Sequence, residues 1–204
     1  MKKKIGLILA FKGTNYGALL QAYATQHIIE TLGFETEIID YIGKRNQKEN
    51  FLKRGYFLHR IISWLHKKKN KIPSLLVNSD FSQNRKERRD VSDDFRNRRF
   101  HSISSIKEYE ELKQISSKYF SVIIGSDQLW SPGACFDVIC SLDFVSPGTR
   151  RVSYATSLGV SDFPKYCWHS SKKMWKRMDS LSVRERQGAD IIHQICGNIK
   201  VSVV

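Results

Sequence analysis

The stretch that decides the fold is KIGLILAFKGTNYGALLQAYATQHIIETLGFETEIIDY, which runs from Lys4 to Tyr41. Its apolar run at residues 5–9 predicts a strand that is buried on both faces. Apolar residues at helical spacing follow and predict a helix that Gly33 ends, after which a second strand begins. Because such strand–helix–strand crossovers are almost always right-handed, this unit predicts a parallel α/β sheet with flanking helices.

The polar loop GTNYG between the first strand and the helix is the first candidate binding site. It contributes Gly13, Thr14, Asn15, Tyr16 and Gly17. Ligands of parallel sheets bind beyond the carboxyl ends of the strands, and a helix N-terminus there favours an anionic group. The loop matches neither the dinucleotide fingerprint nor the Walker A sequence. An ordinary strand-to-helix turn, with Thr14 or Asn15 as the helix cap, is the alternative interpretation.

The composition of the 204 residues indicates a soluble protein with a proper core. No apolar run approaches the roughly 20 residues that span a bilayer, and the first apolar stretch is too short for a signal peptide. The four cysteines form no CxxC pair and no spacing typical of a metal site. These features predict reduced thiols, no metal, and a cytoplasmic location.

The positive charge of the chain is concentrated between residues 43 and 100, where 17 lysines and arginines face 6 acidic residues. We interpret this segment as a basic helical insertion in a single domain that covers residues 1–204. Within it, residues 51–72 predict a basic amphipathic helix, which either packs on its own domain or contacts the inner face of an anionic membrane. Nucleic acid is not expected as a partner, because aromatic residues do not alternate with the charges.

Three more apolar strands are predicted, at residues 119–124, within RRVSYATSLG (residues 150–159) and at residues 180–183, and each runs into a polar turn. A short capped helix is predicted just before the first of them, with Ser105 and Glu108 at capping-box spacing. In a parallel sheet all these turns lie at one edge, together with GTNYG. Four polar turns at one edge predict a ligand site there.

The turn GSDQLW supplies the best acid/base candidate, Asp127. A carboxylate that follows a strand can hold a sugar hydroxyl or accept a proton from it. Ser126 and Trp130 flank this carboxylate, and Gln128 follows it. The alternative is that Asp127 merely caps a helix that begins near Gln128.

The last turn places Arg184 next to Glu185, and the preceding one offers the hydroxyls of Tyr154 and Ser157. The planar guanidinium of Arg184 can bind a phosphate or a carboxylate, or it can form a structural ion pair with Glu185 or Asp190. Glu185 is the second candidate for a catalytic base. No Ser-His-Asp, Cys-His or metal constellation is visible in the sequence.

Four motifs resemble the polysaccharide pyruvyl transferase family, and they occur in the family's order. They are GTNYGALLQAYA, VIIGSDQLWSP, RVSYATSLG and LSVRERQGADII. The resemblance implies transfer of a pyruvyl group from phosphoenolpyruvate to a sugar hydroxyl of a cell-surface polysaccharide or a lipid-linked precursor, without a cofactor. It also implies a Rossmann-like domain, similar to the N-terminal half of two-domain GT-B-like glycosyltransferases.

Under this resemblance, Asp127 or Glu185 would deprotonate the sugar hydroxyl, and Arg184 and the helix N-termini would bind phosphoenolpyruvate. Asn15 and Gln128 would form hydrogen bonds to the sugar, and Trp130 would stack on its ring. Family members continue with a second Rossmann-like domain that supplies further donor-binding residues. The chain ends at Val204, so we expect that domain to be missing. A nucleotide-sugar-dependent glycosyltransferase and a non-catalytic binding module are the alternative functions.

Overall fold

The computed structural model describes residues 2–44, 51–69 and 79–204. These residues build one seven-stranded sheet in which every strand pairs in parallel with its neighbours. The strands are β1 (Lys4–Ile8), β2 (Glu35–Tyr41), β3 (Ile103–Ile106), β4 (Ser121–Gly125), β5 (Arg150–Thr156), β6 (Ser180–Val183) and β7 (Ser202–Val203). Their order across the sheet is β3-β2-β1-β4-β5-β6-β7, which is a Rossmann-like arrangement and confirms the predicted fold class.

Helices cover the sheet on two sides and create two separate cores. They are α1 (Tyr16–Thr31), α2 (Tyr56–Lys69), α3 (Ser79–Arg99), α4 (Tyr109–Ser116), α5 (Lys165–Trp175) and α6 (Arg186–Cys196), with a 3-10 turn at Ala134–Phe136. One core joins α1 and the end of α3 to Leu7 and Ile38. The other joins α4, α5 and α6 to Ile8 and Ile39. Neighbouring strand residues therefore point into opposite cores, which explains the continuous apolar runs in the sequence.

Helix α1 is where predicted, but only some of its apolar residues are buried. Leu19 and Ile29 are buried, whereas Leu20, Ile28 and Leu32 are exposed. The buried face includes Gln26, whose side-chain amide donates to Thr36 Oγ1 (3.1 Å) and to the His101 carbonyl. The helix is apolar on more than one side, so periodicity alone could not assign the face that meets the sheet.

The predicted capping box is wrong. Ser105 lies in β3, where its hydroxyl donates to Asp40 Oδ2 (3.2 Å). Glu108 is instead the N-cap of α4, and its side chain makes no capping hydrogen bond. The sequence analysis missed β3 because a four-residue strand at the sheet edge carries almost no periodic signal.

The basic segment forms two helices where it is described, and residues 45–50 and 70–78, including the predicted end of the amphipathic helix at residue 72, lie outside the described residues. Helix α2 begins only at Tyr56, because Gly55 has a positive φ of 90°. Helix α3 packs Phe95 against Tyr23 of α1, with 6.0 Å between the ring centroids. The second half of the segment is therefore part of the fold, as a helix docked on the sheet domain.

Candidate functional site

The turns after β1, β4, β5 and β6 meet at the carboxyl edge of the sheet, as predicted. The chain proceeds from β1 to β2 on one side and returns through β4 on the other, so β1 and β4 flank the point where the strand order reverses. Ligands of open α/β sheets bind in the crevice outside this point.

Backbone hydrogen bonds join the β4 turn to the β5 turn. The amide of Ser126 donates to the Tyr154 carbonyl (3.1 Å), and the amide of Ser157 donates to the Asp127 carbonyl (2.9 Å). Ser126 (φ 34°) and Ala155 (φ 50°) have left-handed backbone conformations although neither is glycine. Such strained residues cluster at functional sites, where the surrounding structure holds them.

A cavity of about 360 Å³ opens beside the β4 turn, and we call it the switch-point cavity. Asp127 lines it from one side, and Gly13 and Asn15 line it from the GTNYG loop. Lys12 and Asp40 also line it and form an ion pair at 2.6 Å. The cavity thus presents two carboxylates and one ammonium group, a set that favours a neutral polyhydroxylated ligand over a strongly anionic one.

A second cavity of about 330 Å³ lies beyond β5 and β6, and we call it the β6 cavity. Gln128, Ser157 and Glu185 line it, together with residues of the first turn of α6. Arg184 does not line this cavity, but its guanidinium pairs at 2.9 Å with the carboxylate of Glu185, which does. The two predicted catalytic carboxylates, Asp127 and Glu185, therefore line different cavities, and the β4 turn separates them.

The GTNYG loop both caps helix α1 and lines a cavity. The Asn15 side chain accepts a hydrogen bond from the Gly17 amide (2.9 Å), so it caps α1 as the alternative interpretation proposed. Gly13 and Asn15 nevertheless line the switch-point cavity. Thr14 is exposed, and Tyr16 is exposed beneath the guanidinium of Arg88 on α3.

Outside the GTNYG loop, four predicted site residues line neither cavity: Ser126, Trp130, Tyr154 and Arg184. The Ser126 hydroxyl is buried and lies 3.0 Å from Thr25 Oγ1 on α1. Trp130 is fully buried, and its indole N–H donates to the Cys140 carbonyl (3.1 Å), so the ring presents no face to a sugar. Tyr154 is exposed within β5 and does not line either cavity.

Asp127 does not cap a helix. Its carboxylate accepts the amide proton of Gln128 (2.7 Å), and the next helical turn begins only at Ala134. The carboxylate is partly exposed in the switch-point cavity, where it can reach a ligand.

The sequence analysis missed three charged residues around the switch-point cavity. Lys12 and Asp40 face each other across its wall, and Arg96 of α3 donates to the Gly13 carbonyl (3.0 Å). Lys12 stands in the loop sequence itself, but Asp40 occupies the end of a strand, where alternation is the only signal. Arg96 lies in a charge-dense run whose docked residues periodicity does not single out.

The fold and the cavities define an α/β protein with a candidate ligand site at the switch point of a Rossmann-like sheet. The chain belongs to the polysaccharide pyruvyl transferase family, whose model matches residues 15–204. Comparison with curated proteins and with solved structures gives no match for this chain. Among the described residues, no cluster of three or more histidine, cysteine or acidic side chains could hold a metal ion.

Proposed function

We propose that the protein transfers a pyruvyl group from phosphoenolpyruvate to hydroxyl groups of a saccharide. Family membership gives the reaction class. The observation that carries the residue assignment is the position of Asp127 in the switch-point cavity, opposite the GTNYG loop. The acceptor would be a sugar of a cell-surface polysaccharide or of a lipid-linked precursor.

The reaction needs no cofactor because its atoms and protons balance between the two substrates. A first sugar hydroxyl adds to C2 of phosphoenolpyruvate while the vinyl CH2 group takes up a proton and becomes CH3. A second hydroxyl then displaces phosphate from C2 and closes a cyclic ketal. One hydroxyl proton is balanced by the new methyl group, and the other leaves with inorganic phosphate.

We assign the saccharide to the switch-point cavity on the basis of charge. Asp127 and Asp40 provide carboxylate oxygens for sugar hydroxyls, and Lys12 provides a donor. Phosphoenolpyruvate carries both a phosphate and a carboxylate, and two carboxylates in the same cavity would repel it. Asp127 is then the general base that takes the proton from the attacking hydroxyl.

The anionic donor fits better beside the β6 cavity. The N-terminus of α6 carries a partial positive charge there, and the planar guanidinium of Arg184 matches phosphate and carboxylate oxygens. Asp127 and Gln128 are consecutive residues that line the two different cavities. The attacking hydroxyl and C2 of the donor would therefore have to meet on the solvent side of the β4 turn, beside the exposed Gln128, and Glu185 would bind or orient the donor.

The test compares Asp127→Asn with a matched variant, Asp162→Asn, whose carboxylate is exposed in the loop after β5. The assay measures phosphate release from phosphoenolpyruvate in the presence of hexose glycosides that carry a free diol. Loss of a general base should lower kcat by about 10²- to 10⁴-fold for Asp127→Asn. The Asp162→Asn variant should keep wild-type turnover.

Two results would contradict the proposal. Wild-type turnover by Asp127→Asn would show that the Asp127 carboxylate is not the general base. Hydrolysis or transfer of a nucleotide sugar, without consumption of phosphoenolpyruvate, would favour the glycosyltransferase alternative.

We also propose a cytoplasmic location, supported by the four free and buried cysteines.

A further inference from the structure

Helix α2 exposes a set of large apolar side chains to solvent. Phe57 is 77% exposed, and the other members are between 45% and 55% exposed. These members are Leu58, Ile61, Trp64 and Leu65. At 100° per residue, the five positions fall within one-third of the helix circumference, so they form a single apolar face.

The opposite face of α2 is anchored to the protein. Tyr56 is buried and packs on Phe136 with 5.7 Å between the ring centroids, and His59 lies 5.3 Å from the same ring. The pKa of His59 is lowered, mainly by burial and also by the adjacent Arg60. The side chains of α2 that contact Phe136 are therefore not members of its exposed apolar face.

The contact between α2 and the sheet domain lies at the end of α5 that is nearest the carboxyl edge of the sheet. The Arg54 carbonyl accepts a hydrogen bond from Ser170 Oγ (3.0 Å), in the middle of α5. The next residue, Gly55, lies so close to Tyr166 that a Cβ atom on Gly55 would be 1.9 Å from the Tyr166 carbonyl oxygen. The chain thus runs toward the N-terminal end of α5, which in a parallel crossover starts at the carboxyl edge of the sheet.

Charge indicates what covers the exposed face. Lys53 is paired with Asp143, but between Gly55 and Ser79 the sequence contains five further lysines and arginines and no acidic residue. A partner surface that is both apolar and anionic would complement this composition, and an anionic lipid bilayer has both properties. No helix among the described residues is long and apolar enough to cross a membrane, so α2 would lie in the plane of the interface.

We propose that α2 is an in-plane anchor that binds anionic membrane surfaces through its face of Phe57, Leu58, Ile61, Trp64 and Leu65. The apolar side chains enter the boundary between headgroups and acyl chains, and the basic residues contact lipid phosphates. The anchor brings the carboxyl edge, with its two cavities, close to the membrane. This binding does not depend on the proposed reaction, so each can fail without the other.

The test is co-sedimentation of the protein with vesicles. Vesicles of phosphatidylcholine with 30% phosphatidylglycerol should bind the wild-type protein, and pure phosphatidylcholine vesicles should bind it far more weakly. The double variant Leu58→Ser/Ile61→Ser should bind at least about tenfold more weakly, because two exposed side chains no longer transfer from water. Raising the salt concentration should weaken wild-type binding, since the basic residues act through screened charges.

Helix α1 provides a matched control. Leu20 and Ile28 are as exposed as the members of the α2 face, but the sequence of α1 contains no lysine or arginine. The double variant Leu20→Ser/Ile28→Ser should therefore bind vesicles like the wild-type protein. Equal loss of binding in both double variants would refute the proposal, because it would show nonspecific adsorption of exposed apolar groups.

Two further outcomes would also overturn the proposal. The first is absence of wild-type binding to the anionic vesicles at low salt. The second is a wild-type dimer, seen by light scattering without lipid, that the Leu58→Ser/Ile61→Ser variant abolishes. That result would show that a second copy of the chain covers the face.

Discussion

The carboxylate of Asp143 joins the segment before α2 to the sheet domain, and its replacement gives the sharpest stability prediction. Its side chain is 15% exposed and forms ion pairs with Lys53 and with Arg177. The Lys53 ammonium also donates to the Cys135 carbonyl (2.7 Å). Burial raises the pKa of Asp143, but the two cations outweigh this effect and lower the pKa below its usual value.

The cost of Asp143→Asn follows from the exposure of the two partners. Lys53 is 22% exposed and would keep a largely buried charge without its counterion, which costs a few kcal/mol. Arg177 is 45% exposed, so water screens its pair, and its contribution is below about 1 kcal/mol. We expect Asp143→Asn to lower the free energy of unfolding by about 2–3 kcal/mol, and Tm by roughly 5–10 °C.

Denaturant unfolding of the wild type, Asp143→Asn, Arg177→Gln and the exposed control Glu111→Gln checks this ranking. Arg177→Gln should cost less than about 1 kcal/mol, and Glu111→Gln should change stability by no more than about 0.5 kcal/mol. If Arg177→Gln cost as much as Asp143→Asn, the assignment of the buried pair to Lys53 would be wrong.

The pH dependence gives an independent check of the same carboxylate. Because the folded pKa of Asp143 is depressed, its contribution is complete above the ordinary value of 3.8 and is lost as pH falls through the folded value. The difference between the wild type and Asp143→Asn should therefore shrink in acid. A difference that stays constant down to pH 2 would show that the charge of Asp143 is not what stabilises the fold.

Two further predictions concern residues at the carboxyl edge. Asn15→Ala should lower the free energy of unfolding by about 1 kcal/mol, because the Asn15 side chain caps α1, and Asn15→Asp should restore the stability. If denaturant unfolding showed that Asn15→Ala is as stable as the wild type, the cap would be contradicted. Trp130→Phe should cost about 2 kcal/mol, because it opens a void and removes the donor to a buried carbonyl, while the KM for the saccharide stays unchanged. A raised KM at unchanged stability would instead show that the Trp130 ring contacts the sugar.

The parallel α/β class of the sheet could be predicted from the sequence because local signals determine it, whereas the strand order and the short edge strand β3 could not. The apolar strands, the glycine that ends α1 and the polar turns occur in an order that right-handed crossovers convert into one sheet. Among the predicted site residues, Asp127 and Glu185 line cavities because each stands two residues after the end of a strand, at the carboxyl edge. That they line different cavities depends on the conformation of the β4 turn, which no spacing in the sequence encodes.

Burial of individual side chains was the part that could not be predicted. Trp130 follows a strand as Asp127 does, but its indole packs into the core beside Trp175, with 6.3 Å between the ring centroids. In α2, Leu58 and Ile61 have the spacing of a buried stripe, yet Tyr56 and His59 make the contact with the domain. Tertiary packing selected the face in each case, and a periodic pattern cannot tell a core from a surface that meets another partner.

The hydroxyl-rich sequence of β5 and β6 has a structural role that bears on the site. Register between the two strands shifts after Ser153, and two serine hydroxyls replace the lost ladder bonds. Ser153 Oγ donates to the Ser182 carbonyl (3.0 Å), and Ser182 Oγ donates to the Ser153 carbonyl (2.9 Å) while accepting the Ala155 amide proton (3.1 Å). The left-handed Ala155 is thereby held in place, and it leads into the turn whose Ser157 amide bonds to Asp127. The position of the candidate base thus depends on buried hydroxyls that touch no ligand, which explains why small polar residues occupy strand positions where an apolar core would otherwise be expected.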